Sequence, residues 1–379
     1  MSKSPVSCSS SIHKLRVAVT TTVVKLGSGI VAHDDGSLRG DVLAAICDDI
    51  AAHHGAGDDI VVVTSGAIAR GLGMMRFASR PTAVEDLQAA SAVGMGGLYR
   101  AYDELLRERG LLSAQVLLTV HDIMSARAQY LNARHTLRRL LDWRVVPVVN
   151  ENDTTATEEI TFGDNDFLAA QVAILIGAQR LVLLTSTEGV FTADPTIDPD
   201  ASLIDEVTDY ESLQIGPSTS SLGSGGMRSK VVAAEMATAA GIPATICSGL
   251  RGEALARVLA GEREGTSFPA REQRYSSFKL WLKYAKPSHG TVVVDAGAAR
   301  ALRDGGTSLL PVGVIDVQGN FDAGDAVDVR VGDDVIGKGI VNYSAGELRS
   351  VKGLKSESVR AVLPRAADEA VHRDYFVLA

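Results

Sequence analysis

Two lysines stand where an anion could be held. Lys25 closes an apolar, β-branched run and is followed by Gly27-Ser28-Gly29. Lys230 ends the run Gly223-Ser224-Gly225-Gly226-Met227-Arg228-Ser229-Lys230. Glycines let backbone N–H groups approach an oxyanion closely, and an ammonium adds a point charge. Neither run is a Walker A loop, which needs its lysine directly after the last glycine. Between them lie two dense groups of carboxylates and carboxamides, Asn150-Glu151-Asn152-Asp153 and Gly163-Asp164-Asn165-Asp166. Such side chains can fix an amino group and a carboxylate, or hold magnesium through water. Thr64-Ser65-Gly66 and Thr185-Ser186 add small hydroxyls after two further apolar runs. Each feature has a plain structural alternative: an exposed lysine before a turn, hydroxyls that cap a helix, a solvated acidic loop, a flexible glycine loop. No His or Cys constellation supplies a general base or a thiol nucleophile. Cys8, Cys47 and Cys247 lack metal-ligand spacing and are odd in number, which argues against a disulfide scaffold and for a reducing compartment. No Gly-x-Gly-x-x-Gly follows the first strand-like run, so a dinucleotide cofactor is not expected.

The elements that must position these residues follow from hydrophobic period. Short β-branched runs fall at 15–24, 60–64, 113–118, 145–149, 181–185 and 244–247. Between them, apolar residues recur near a 3.6 period at 41–53, 85–109, 125–141, 165–176 and 227–240. Strand-then-helix repetition with non-alternating strands predicts an α/β fold, a mainly parallel sheet covered by helices on both faces. In such sheets ligands bind beyond the carboxyl ends of the strands, which is where the polar groups above fall. Residues 1–13 are polar and Ser-rich and read as a disordered lead, and 14–262 form the α/β domain. The polar segment 263–275 reads as a linker. Residues 276–379 change grammar: strand-like runs at 290–295, 313–317, 326–331 and 339–343, separated by Gly/Asp turns, predict a small β-rich domain.

Composition narrows the function classes. The chain has 379 residues, 46% of them hydrophobic, which is ample for two packed cores. It carries 37 basic and 46 acidic side chains, a formal charge of −9. Residues 276–379 hold 13 of each sign, so the whole acidic excess lies in the first part. A general nucleic-acid binder wants a basic excess, because phosphate neutralisation dominates its affinity. The amino terminus has no apolar stretch of the secretory type, and the longest apolar run, 167–176, is too short to span a bilayer. No membrane partner is expected, and the setting is read as cytoplasmic.

Taken together, the loops resemble the amino acid kinase family, and within it the glutamate 5-kinase branch. The resemblance rests on VVKLGSG (23–29), VVVTSGAIARG (61–71), NARHTLRRLLD (132–142), PVVNENDTTATEEITFGDND (147–166), LLTSTEGVFTADP (183–195) and GSGGMRSK (223–230). SLLPVGVIDVQGNFDAGDAVDV (308–329) resembles a PUA domain. The resemblance implies transfer of phosphate from ATP, with Mg²⁺, to the side-chain carboxylate of L-glutamate. It implies Lys25, Lys230 and Asp166 as catalytic residues. Ser65, Asp153 and Asn165 would bind glutamate. Lys25, Thr185, Ser186 and the loop Ser224, Gly225, Gly226, Met227, Arg228, Ser229 and Lys230 would bind ATP, with Asp166 organising the lysines or the metal. Ser186 stands where the family usually has Asp. The resemblance further implies feedback inhibition by L-proline and a homodimer or homotetramer built on the kinase domain. The competing readings are a related amino acid kinase of other specificity, such as an acetylglutamate or aspartate kinase, and an RNA-binding or regulatory protein acting through the second domain. The neutral charge of 276–379 gives the RNA reading no support.

Overall fold

The computed structural model describes residues 19–77, 79–119, 122–123, 127–155, 165–210, 213, 226–272, 277–284, 286, 288–364 and 367–379. The expected lead at 1–13, together with Gly163, Asp164, Gly223, Ser224 and Gly225, lies outside the described residues.

The first sheet has seven strands: β1 (Thr21–Leu26), β2 (Asp59–Val63), β3 (Ser113–Leu118), β4 (Val146–Glu151), β5 (Arg180–Thr185), β6 (Ala244–Ser248) and β7 (Thr266–Phe268). Their spatial order is β3-β4-β2-β1-β5-β6-β7. All neighbours run parallel except β6 and β7. The chain moves from β1 to one side of the sheet and later crosses to the other, so β1 and β5 flank the switch point where such sheets bind ligands.

Both faces of this sheet are apolar, and the strand period of two sorts side chains between them. Val23, Val61, Val63, Leu181 and Leu183 join one core, and Val24, Ile60, Val62, Val182 and Leu184 join the other. Helices α1 (Ser28–Val31), α2 (Gly40–Ala56), α4 (Val84–Glu108) and α8 (Ala254–Leu259) cover the second face. Helices α5 (Arg127–Asp142), α6 (Asn165–Ile176) and α7 (Met227–Ala239) cover the first. In α6 every residue but Ile174 is buried. All-round burial marks a helix inside the core rather than on it, and fixes its first turn rigidly.

A short helix α3 (Ala67–Met75) follows β2 and packs against α4. Gly66 starts it at φ +98°, a left-handed conformation that a β-carbon would strain. The two helices cross where Gly71 meets Gly94. A β-carbon on Gly71 would collide with the Ala90 carbonyl, and one on Gly94 with the Ala67 carbonyl.

The second sheet comprises β8 (Ser288–Val294), β9 (Val314–Gly319), β10 (Ala326–Val331), β11 (Asp334–Val341) and β12 (Val371–Leu378), in the order β12-β11-β10-β8-β9. Its core is separate and includes Val292, Val317, Val329, Val341 and Phe376. Three helices flank it: α10 (Ala296–Gly305), α11 (Ala345–Val351) and α12 (Ser356–Val362), with α9 (Ser277–Tyr284) preceding the sheet.

Three expectations change. The polar segment 263–275 is not only a connection, because β7 within it pairs antiparallel with β6 as an edge strand. Strand β11 begins at Asp334 rather than 339, because Gly332 at φ +59° lets a two-residue turn join it to β10. Strand β1 extends to Leu26, so Lys25 lies inside the strand and not beyond it.

Gly94→Ala should overpack the α3–α4 crossing and cost about 1–3 kcal/mol. The measurement is the urea midpoint of unfolding, and an unshifted midpoint would contradict the close approach.

Candidate active site

The period of β1 decides where Lys25 points. Val23 faces the core that contains α6 and α7, and Lys25 shares its parity. Its ammonium therefore meets the amino end of α6, where Nζ lies 2.5 Å from Asp166 Oδ1. Lys230 arrives from the first turn of α7, with Nζ 3.1 Å from the other oxygen, Oδ2. One carboxylate thus bridges two lysines from different elements. All three are buried, at 4% (Lys25), 1% (Asp166) and 5% (Lys230) exposed. Ser229 Oγ lies 2.7 Å from Asp166 Oδ2 and 2.9 Å from the Gly226 carbonyl oxygen, so its proton has two acceptors.

Burial alone would raise the Asp166 pKa. The Lys230 and Lys25 charges, with hydrogen bonds from Lys25 and Ser229, outweigh it and hold the carboxyl well below the usual carboxylate range. Asp166 also sits in the first turn of α6, where the helix dipole favours negative charge.

A second group of polar residues gathers after β2 and β4, which are sheet neighbours. The Thr64 N–H donates to the Val149 carbonyl at 2.9 Å, joining the two strand ends. Ser65 follows, buried. It does not cap α3: the cap position is Gly66, with no side-chain cap, and Thr64 instead shares a hydrogen bond of 2.9 Å with Tyr102. Asn165 Oδ1 accepts from the Glu151 N–H at 3.1 Å, which leaves its NH₂ group as a donor. Asp153 is buried and accepts a short hydrogen bond from Ser91 on α4. Burial pushes the Asp153 carboxyl up, against the lowering effect of Ser91.

The remaining expected residues divide by position. Thr185 ends β5, buried, beside the switch point, where the Gly27 N–H donates to the Leu184 carbonyl at 3.2 Å. Ser186 is exposed after it. Gly226 and Met227 are half-buried at the start of α7, and Arg228 is exposed. Ser224 and Gly225 lie outside the described residues. Ser229, expected at the nucleotide, is placed on Asp166. Ser91 and Tyr102 were not read from the sequence, and both lie on the buried stripe of α4. Among the described residues no group of three or more His, Cys, Asp and Glu side chains converges on a metal position. With Asp166 committed to two lysines, the described side chains do not make a metal cage of their own.

A parallel α/β sheet whose switch point carries two lysines on one buried carboxylate, beside a carboxylate and carboxamide cluster, is the layout of a protein that handles small anionic ligands. The model of the amino acid kinase family matches residues 20–248, and that of the PUA domain matches 290–363. The glutamate 5-kinase of Chromohalobacter salexigens is 45% identical over 360 residues, covering 94% of this chain and 95% of that one. That of Meiothermus ruber is 44% identical over 364 residues, covering 94% and 95%. That of Nitrosomonas eutropha is 43% identical over 361 residues, covering 94% and 96%. The chain belongs to the amino acid kinase family.

Asp166→Asn leaves two buried ammonium groups without their shared carboxylate and should cost about 3–5 kcal/mol at pH 7. Because the folded pKa of Asp166 lies below its unfolded value of ~3.9, its stabilisation is complete above the ordinary carboxylate range and fades as pH falls from that range toward the depressed value. Urea unfolding from pH 8 to 5 should show a constant gap between wild type and variant. A gap that closes by pH 5 would contradict the assignment.

Proposed function

We propose that this chain transfers the γ-phosphoryl group of ATP to the side-chain carboxylate of L-glutamate, giving L-glutamyl 5-phosphate and ADP, the first step of proline biosynthesis. The observation that carries the chemistry is the bridging of Lys25 and Lys230 by Asp166 at the switch point. The glutamate 5-kinase relatives support the choice of acceptor.

The acceptor needs no general base. A γ-carboxylate has a reference pKa of ~4.3 and is already ionised at neutral pH. Its oxygen attacks the γ-phosphorus, one O–P bond forms, the bond to the β-phosphate oxygen breaks, and no proton moves. What the step requires is in-line positioning and charge stabilisation. In this reading Lys25 and Lys230 face the phosphoryl oxygens, and Asp166 holds both ammonium groups in place before ATP arrives. Thr185, Ser186 and the 224–230 loop hold the nucleotide, while exposed Arg228 sits at its edge. Magnesium, which retains waters and phosphate ligands readily, is taken to arrive with the triphosphate rather than in a protein cage.

Glutamate fits the second cluster. The Asn165 NH₂ group donates to a carboxylate, Ser65 adds a hydroxyl, and Asp153 accepts from the α-ammonium. The cationic amine would bring the raised Asp153 carboxyl back toward its ionised form. L-Proline carries the same α-amino and α-carboxylate pair, so we assign its inhibition to this cluster. We also propose that the kinase domains associate as a homodimer or homotetramer, which light scattering at working concentration would overturn by returning a monomer mass.

Lys25→Ala or Lys230→Ala should lower kcat by ~10²-fold or more, the loss expected for one preorganised charge. The assay is ADP release with hydroxylamine trapping of the acyl phosphate. Near-normal turnover in either variant, or turnover with aspartate or N-acetylglutamate in place of glutamate, would overturn the reading. In the same assay proline should raise the apparent KM for glutamate and leave that for ATP unchanged.

A further inference from the structure

Helix α4 carries three polar or polarisable side chains on one buried stripe. Ser91, Met95 and Tyr102 follow one another by one and two helical turns, with Leu98 between the last two, so they share a face. Each touches a loop that bears the proposed glutamate ligands. Ser91 Oγ donates to Asp153 Oδ2, just past β4. One turn on, Met95 Sδ lies 3.2 Å from Asn150 Nδ2. Two turns further, the Tyr102 hydroxyl shares its hydrogen bond with Thr64, whose own hydroxyl donates to the Ser65 carbonyl at 3.2 Å.

Of the three, Ser91 is the one that meets a carboxylate. A serine inside a helix commonly turns its hydroxyl to solvent or back to the carbonyl one turn earlier. Ser91 is buried, and its bond reaches a residue 62 positions away in the chain. The site also needs a small side chain. On either side of Ser91 the backbone of α4 lies against α3, where the Ala90 carbonyl approaches Gly71 and Gly94 approaches the Ala67 carbonyl. That crossing fixes α4 against the helix that begins just after Ser65, and with it the place of the Ser91 hydroxyl.

Asp153 depends on this bond more than Asp166 depends on any one of its own. Asp166 is gripped on both oxygens by lysines. Among the described residues no cation pairs with Asp153; burial disfavours its ionised form, and Ser91 is the group that opposes burial. The terminal torsion of an aspartate is broad and two-fold, so a carboxylate without a partner has no set plane. A donor on Oδ2 sets that plane and leaves Oδ1 for an incoming donor.

We propose that Ser91 is a positioning residue for Asp153: it anchors Oδ2, sets the plane of the carboxylate and so directs Oδ1 at the α-ammonium group of the acceptor amino acid. The inference rests on the proposed function in assigning Asp153 to that ammonium.

The test uses the full chain with Ser91→Ala, which removes only the hydroxyl, with Asp153→Ala, and with both. In Ser91→Ala the KM for glutamate should rise roughly tenfold, the size expected for losing one hydrogen bond to a charged group. The kcat and the KM for ATP should stay as in wild type, because Lys25, Asp166 and Lys230 lie on β1, α6 and α7. General damage to the fold would not give that split. Urea unfolding supplies a readout that needs no turnover. Ser91→Ala should lower the midpoint in the wild-type background and lower it less, or not at all, in the Asp153→Ala background, where the shared bond is already gone. An unchanged KM for glutamate, a parallel rise in the KM for ATP, or equal midpoint shifts in the two backgrounds would overturn the inference. Absence of glutamate-dependent turnover in the wild type would sink the proposed function, while the unfolding cycle would still decide whether Ser91 holds Asp153.

Discussion

The organisation of the first domain converges on one buried carboxylate. Asp166 ties together β1, α6 and α7 through Lys25, its own helix and Lys230. Burying three charges is costly, and the cost is recovered only when geometry is good on every side. The elements around it supply that geometry. Strand parity aims Lys25, all-round burial fixes α6, and the Ser229 hydroxyl adds a further hydrogen bond. Removing any one partner exposes the desolvation cost of the others, which is why the cluster and the sheet's switch point stand or fall together.

This local construction also answers a problem set by the charge of the whole chain. The formal charge is −9, and the excess lies entirely outside residues 276–379. ATP and glutamate are both anions, so long-range steering does not favour them. Ionic screening limits such fields to ~8 Å at physiological salt in any case. In the proposed reading, recognition comes from buried lysines, backbone N–H groups and the amide of Asn165, all acting at short range.

How much of this was legible follows from residue type. Lys25 and Lys230 were each readable from their glycine neighbours, and the parallel sheet from its apolar runs. The shared partner Asp166 entered through the family resemblance, and that Lys25 lies on the α6 face is a finding of the structure, where Val23 of the same parity joins the core that contains α6. Ser91 and Tyr102 carried no signal, because a serine or tyrosine on the buried stripe of a long helix looks like core. Helix α9 was missed because its eight residues place Phe278, Leu280, Leu282 and Tyr284 at alternate positions, the period of a strand, over too short a span for a helical period to stand out. Strand β7 has three residues inside a polar stretch, too few for any period to emerge.

The two aspartates on either side of the site reveal a division of labour. Both are buried, yet their carboxyls are driven apart: Asp166 is pulled down by two lysines, and Asp153 is pushed up with only a serine hydroxyl to oppose its burial. Environment rather than residue type sets the role of each. In the proposed reading the Asp166 side, assembled before any ligand binds, would meet the phosphates and stabilise charge without reorganising. On the same reading a cationic amine beside Asp153 would favour its ionised form. An amino acid whose amine is acylated offers no such charge, so the proposed site would favour a substrate with a free α-ammonium group.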